Sequence, residues 1–215
     1  MKPTGFALLL LAVSAFVLAG CTDNSTEPLA PSDQPANVPG PLEKKVVRQF
    51  SGTMWQNFAD PNFLIDPGVT KVLPDGKVFV KGVVQKVVCA AAFTDGGTDL
   101  FSGNAVVELN GLADPVAGVG EFWGKATITP AAPGARGGVW RLTWRGKGTL
   151  GPLAGWNPPY GWTIPLKEGG EGKGGALHGM ELSMDNTISS SPDFTVWTGA
   201  YSGYIKSHGG CEHGR

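Results

Sequence analysis

The sequence predicts an all-β protein whose single folded domain is an antiparallel barrel of about seven or eight strands. Three observations carry this. After residue 21 no segment keeps a helical period, whereas short apolar–polar alternations recur. Turn dipeptides separate them: Pro74-Asp75-Gly76, Asp95-Gly96-Gly97, Asn110-Gly111 and Pro133-Gly134. The chain also carries 33 glycines in 215 residues, about twice the ordinary share of ~7%. They keep no three-residue period, so collagen is excluded. Inside strands, glycines mark bends and close backbone approaches, so this many in one domain predicts a strongly curved sheet.

Taken in order, the first segment is not part of that domain. Lys2 precedes an apolar run from Phe6 to Leu18, interrupted only by the small Ser14. The run is shorter than the roughly 20 residues a membrane-spanning helix needs and has the length of a secretory signal. It closes on Leu18-Ala19-Gly20-Cys21. An ordinary signal peptide, leaving a soluble secreted protein, is the alternative at this point. Residues 21–43 are rich in Asp, Asn, Ser, Thr, Glu and Pro and nearly free of large apolar side chains. Such a segment buries too little surface to offset its ordering entropy, and its prolines favour an extended spacer. The domain organisation read here is therefore a signal over 1–20, a tether over 21–43 and the barrel over 44–215.

Within the domain, strands are predicted near Val46 to Met54, Lys77 to Ala91, Asp99 to Leu109, Val119 to Thr129, Gly138 to Thr149, Gly175 to Met184 and Thr195 to Ser207. Asp60-Pro61 and Asp66-Pro67 interrupt the stretch after the first strand, which reads as loop or a short helical turn. Successive strand side chains point to opposite faces. Trp140, Leu142 and Trp144 thus share an apolar face, and Arg141, Thr143 and Arg145 a wet, basic one. Met180, Leu182 and Met184 oppose Glu181, Ser183 and Asp185 in the same way, with His178 placed on the apolar side. Trp197, Tyr201 and Ile205 share a face, with Gly199 and Gly203 as small spacers that let the sheet coil.

Two resemblances add to this reading. Leu18-Ala19-Gly20-Cys21 resembles the lipobox of bacterial lipoproteins. Membership implies lipid on the Cys21 thiol, cleavage before that residue and further acylation of the new N-terminus. Two or more chains hold a protein firmly where one does not. Thr22 in place of Asp implies sorting to the outer membrane in a cell with two membranes. The ladders Gly118-x-Gly120-x-x-x-Gly124, Gly138-x-Trp140-x-x-x-Trp144-x-Gly146 and Gly172-x-Gly174-x-x-x-x-Gly179-Met180 resemble secreted bacterial barrels of uncharacterised function. More distantly, they resemble the allene-oxide-cyclase-like barrel, a small antiparallel, calycin-like fold. The likeness covers roughly Gly103 to Tyr204. It implies the fold and not the cyclase activity, because nothing in the chain matches that enzyme's active-site motif.

Chemistry-bearing residues are few. The formal net charge of −1 offers no basic field for nucleic acid. There is no Gly-x-Ser-x-Gly elbow, no His-Glu-x-x-His and no phosphate loop, so neither catalytic residues nor a cofactor are assigned. With Cys21 lipidated, Cys89 and Cys211 remain, and an exported pair reads as a disulfide. In the chain-entropy model, closing so long a loop contributes on the order of 4–5 kcal/mol. The competing use of the tail, His208-Gly-Gly-Cys211-Glu212-His213, as metal ligands lacks a standard spacing, and no metal site is assigned. Trp156, Tyr160 and Trp162 stand in a Pro-stiffened loop, where flat rings can stack on sugars or lipids or can plug one barrel end. The expectation is a lipid-anchored envelope protein that binds a small apolar or glycan ligand through the barrel mouth. The alternative is a structural or interaction lipoprotein with a filled barrel. An open apolar interior favours the first and a packed one the second. A carboxylate or His aimed into a cavity favours an enzyme.

Overall fold

A computed structural model describes residues 46–131, 133–152 and 160–207. Cys21, Trp156, Cys211 and the tail from His208 lie outside them. Ten strands form one antiparallel sheet: β1 (Val46–Asn57), β2 (Leu64–Asp66), β3 (Val69–Val72), β4 (Val78–Phe93), β5 (Gly103–Asp114), β6 (Val119–Pro130), β7 (Val139–Pro152), β8 (Tyr160–Lys173), β9 (Glu181–Ser190) and β10 (Val196–Ser207). The order runs β1-β10-β9-β8-β7-β6-β5-β4, and β4 pairs back onto β1, closing an eight-strand barrel. Closure removes the exposed edges of an open sheet. At the seam Phe50 faces Phe93 and Trp55 faces Val88 across the ladder. The Arg48 guanidinium forks onto Asp95 at 2.7 and 3.0 Å, tying the β4–β5 turn to β1 and holding that carboxyl down to about 2.

The segment expected to be loop or helical turn after β1 contains the two short strands β2 and β3. Both pair with β4 on the stretch that β1 leaves uncovered, against Gln85 and Val84 and then Lys81 to Val78. The unpaired backbone of a sixteen-residue strand supplies the reason. Asp66 marks the junction: its carboxylate accepts the Gly68 N–H at 2.8 Å, within the turn that separates the two strands.

Two further differences concern the C-terminal half. Tyr160–Lys173 is a full strand that alternation alone did not yield. Pro165 has no N–H to donate, and the β7–β8 ladder lapses at Lys147–Gly148, between the Gly146↔Leu166 and Thr149↔Thr163 pairs. The predicted strand over Gly175 to Met184 begins only at Glu181, after a 3-10 turn at Gly175–Leu177. Gly174, Gly175 and Gly179 all have positive φ, which breaks extended structure there. His178 is consequently exposed and off the strand, not on the apolar face with Leu182.

The predicted faces hold elsewhere. Trp140, Leu142 and Trp144 are buried while Arg141 and Arg145 are exposed, and Trp197, Tyr201 and Ile205 point inward. Gly124 shows what the glycines do. A Cβ there would run into the Glu108 carbonyl oxygen and the Trp144 ring, so the wall can coil tightly at this point only without one.

Candidate functional site

The barrel interior is plugged at both ends. At one, the Trp140 ring is fully buried and donates its Nε1–H to the Leu100 carbonyl oxygen at 2.9 Å. Phe50, Phe101 and Tyr201, in the same core, pack on one another with ring centroids 5.0 to 6.0 Å apart. At the other, Trp162 is buried edge-on against Phe122 at 5.4 Å. The structure therefore places Trp162 in the wall's packed lining. Tyr160 opens β8, and Trp156 lies outside the described residues, so the three aromatics are not seen as one surface.

Between the plugs lies a cavity of about 50 Å³, lined mainly by apolar groups, with Glu168, Asn186, Gln85 and Cys89 among its walls. It has room for about three waters, against the ~300–1,000 Å³ usual for small-molecule sites. The Asn186 amide donates to Glu168 Oε1 at 2.8 Å and to Met54 Sδ at 3.0 Å. Glu168 is partly buried as a residue, and its carboxyl end is enclosed. Burial pushes that carboxyl up to about 6, against the stabilising Asn186 bond. The Cys89 thiol is pushed up to about 12, first by burial and then by the Glu168 charge. A thiol so held stays protonated and is inert as a nucleophile. Burial also raises Tyr201, whose hydroxyl donates to the Ala90 carbonyl oxygen at 2.8 Å. Among the described residues no cluster of three His, Cys, Asp or Glu side chains stands close enough to hold a metal. Glu168 was invisible while 160–173 went unread as a strand; the parity Trp162, Ile164, Leu166, Glu168 was the signal for it.

Cys89 sits inside the barrel, buried and unbridged among the described residues. Ser207 pairs with Val46 and Cys89 with Met54, eight residues further along β1, or about 26 Å at ~3.3 Å per residue. The four residues from Ser207 to Cys211 reach about 14 Å, and a disulfide adds about 6 Å between Cα atoms. A Cys89–Cys211 bridge thus requires the end of β10 to leave β1.

The outer wall offers the larger surface. A shallow trough of about 1520 Å³ crosses the outside of β5 to β9. Gly169 is the one glycine on its outward parity; Gly124 and Gly146, also at its edge, lack side chains on the inner face. Cross-strand register sets one row of side chains as Asn110, Trp123, Arg145, Lys167, Asp185 and the next as Glu108, Lys125, Thr143. Trp123 is 39% exposed, leaning on Phe79 at 6.2 Å. At its rim β4 makes a bulge between Val80 and Val83, where Gly82 takes φ 68° and donates its N–H to buried Asn110 Oδ1 at 2.9 Å. The Asn110 amide in turn donates to Glu108 Oε1 at 3.2 Å. Lys147 pairs with Glu121 at 3.1 Å and Lys167 with Asp185 at 2.6 Å. Lys81, Lys125 and Arg145 have no ion-pair partner among the described residues.

Compared with protein-family models, curated proteins and solved structures, the chain matches none.

Proposed function

We propose that this chain is a lipid-anchored protein of the cell envelope whose barrel is a packed scaffold that works through its outer surface, as an interaction module. The observation that carries the reading is the interior: both ends are filled by aromatic side chains, and what remains is a cavity of about 50 Å³. That volume is too small for a lipid or a sugar ring. The address rests on the lipobox-like Leu18-Ala19-Gly20-Cys21 and the polar spacer that follows it. In a cell with two membranes, Thr22 in place of Asp supports an outer-membrane destination.

Two measurements test this. Titration of the detergent-solubilised chain with cis-parinaric acid should show no saturable binding; one-to-one binding displaced by oleate would make the barrel a carrier. Replacing Cys21 with Ala should move the protein out of the membrane fraction or leave an uncleaved precursor, because the thiol carries the lipid. A cleaved variant still found with membranes at its usual apparent mass would remove the anchor.

A further inference from the structure

We infer that the trough across β5 to β9 is a binding site for an acidic polysaccharide, a chain of sugar rings bearing carboxylate or phosphate groups. The inference rests on the interaction-module reading and names its surface and ligand.

Four observations converge on it. Trp123 leaves 39% of its surface in water among the residues that line a wide, shallow trough. A flat ring so placed is the usual platform for the apolar face of a sugar, and it loses little freedom on binding. Around it stand Lys81, Lys125 and Arg145, each without an ion-pair partner among the described residues, while the neighbouring Lys147 and Lys167 are already neutralised by Glu121 and Asp185. Glu108 faces Lys125 across the ladder, so Lys81 and Arg145 are the cations with no acidic register partner, in a chain whose net charge is −1.

Arg145 is also placed at a cost. Its register partners are Trp123 on one side and Lys167 on the other. Like charges directly opposite one another weaken a sheet. Asp185 relieves Lys167, and an incoming anion is what remains to relieve Arg145, whose planar fork matches a carboxylate or phosphate bidentately. The bulge at Gly82 points the same way. It is pinned by a buried asparagine and sets Lys81 at the trough's rim, and bulges of this kind re-aim side chains at functional surfaces.

The mixed character of the lining favours a glycan over a membrane surface. The chain enters the barrel at β1, and β7, the middle strand of the trough, is four strands from β1 in either direction around the closed sheet. The trough thus lies on the wall opposite β1. Threonine and serine side chains within or beside its rows (Thr143 and Ser183) join Trp123 to give it the mixed apolar and hydrogen-bonding character of a sugar site.

The test is affinity electrophoresis of the full chain in non-ionic detergent, in gels containing polygalacturonate or neutral dextran. Polygalacturonate should retard it, less so as salt rises, and dextran much less. Trp123→Ala and the double variant Lys125→Gln/Arg145→Gln should each lose at least tenfold in affinity while melting as wild type does. Trp123→Phe should keep most of the binding. Lys86→Gln, an exposed cation on the outer face of β4, should change nothing. Retardation that is indifferent to Trp123 and to the double variant overturns the site. So does failure of polygalacturonate to bind at all. A Trp123-dependent preference for phosphatidylglycerol over phosphatidylcholine vesicles, without polysaccharide binding, also overturns it and assigns the surface to membranes. If polygalacturonate and cis-parinaric acid both fail to bind, this inference falls and the packed-scaffold reading stands. If cis-parinaric acid binds inside, that reading falls first.

Discussion

Truncating Trp144 to Ala isolates the contribution of one inward ring. Trp144 is 6% exposed and lies over the spot where Gly124 has no side chain. Burying a tryptophan removes about 200 Å² from water, or about 5 kcal/mol at ~25 cal/mol per Å². Two corrections oppose each other. The void left beside the existing 50 Å³ cavity adds a cavity penalty. Against it, the Trp144 Nε1–H is buried with no partner, and removing an unsatisfied donor returns about 1–2 kcal/mol. The expected loss is about 3–5 kcal/mol. Trp144→Phe separates these contributions, because it keeps most of the ring and deletes the orphaned donor; it should cost less than about 1.5 kcal/mol. Arg145→Ala, one residue along and exposed, should stay within about 0.5 kcal/mol. The assay is urea unfolding followed by circular dichroism, with m-values compared to keep the reference state fixed. Equal losses for Trp144→Ala and Arg145→Ala would refute the assigned faces. A loss for Trp144→Phe as large as for Trp144→Ala would refute the area argument.

The remaining predictions concern other links of the structure. The Glu168 carboxyl titrates at about 6 in the fold, above the ~4.3 of an unfolded chain. The folded state therefore holds the extra proton between those values. This group's stability contribution is present below about pH 4, is lost as pH rises through 6, and amounts to on the order of 2 kcal/mol. Glu168→Gln should flatten that slope between pH 4 and 6.5 in denaturant melts, and an unchanged slope would place the titration elsewhere. Gly124→Ala should cost about 1–3 kcal/mol as an overpacked wall, since the obstructing atom is a carbonyl oxygen; a wild-type melt would show that the wall is not tightly coiled there. Cys89 should resist alkylation in the folded protein and react on unfolding. A Cys89–Cys211 cross-link in non-reducing peptide maps would mean that β10 opens at its end.

The strands that alternated cleanly were legible because period-two patterning is local: Trp140 to Arg145 and Trp197 to Ile205 state their faces without reference to any neighbour. Glycine content and turn spacing carried the curvature and the barrel class for the same reason. β8 was hidden by Pro165, a residue that argues against a strand until its neighbours show the ladder tolerating a gap there. β2 and β3 became strands only because β4 is longer than β1 and leaves an edge to be paired. From sequence the Trp162 ring could stack on a ligand or plug the barrel; the fold buries it edge-on against Phe122.

By itself the sequence determined the all-β class and the inward and outward faces of several strands, both of which are properties of short contiguous segments. Only the tertiary structure decided that the interior is filled, that Glu168 lies beside Asn186 and Cys89, and that Trp123, Arg145, Lys125 and Lys81 gather on one wall. Those residues lie on β4, β6, β7, β8 and β9, and strand register and barrel closure, which depend on the whole chain at once, bring them together.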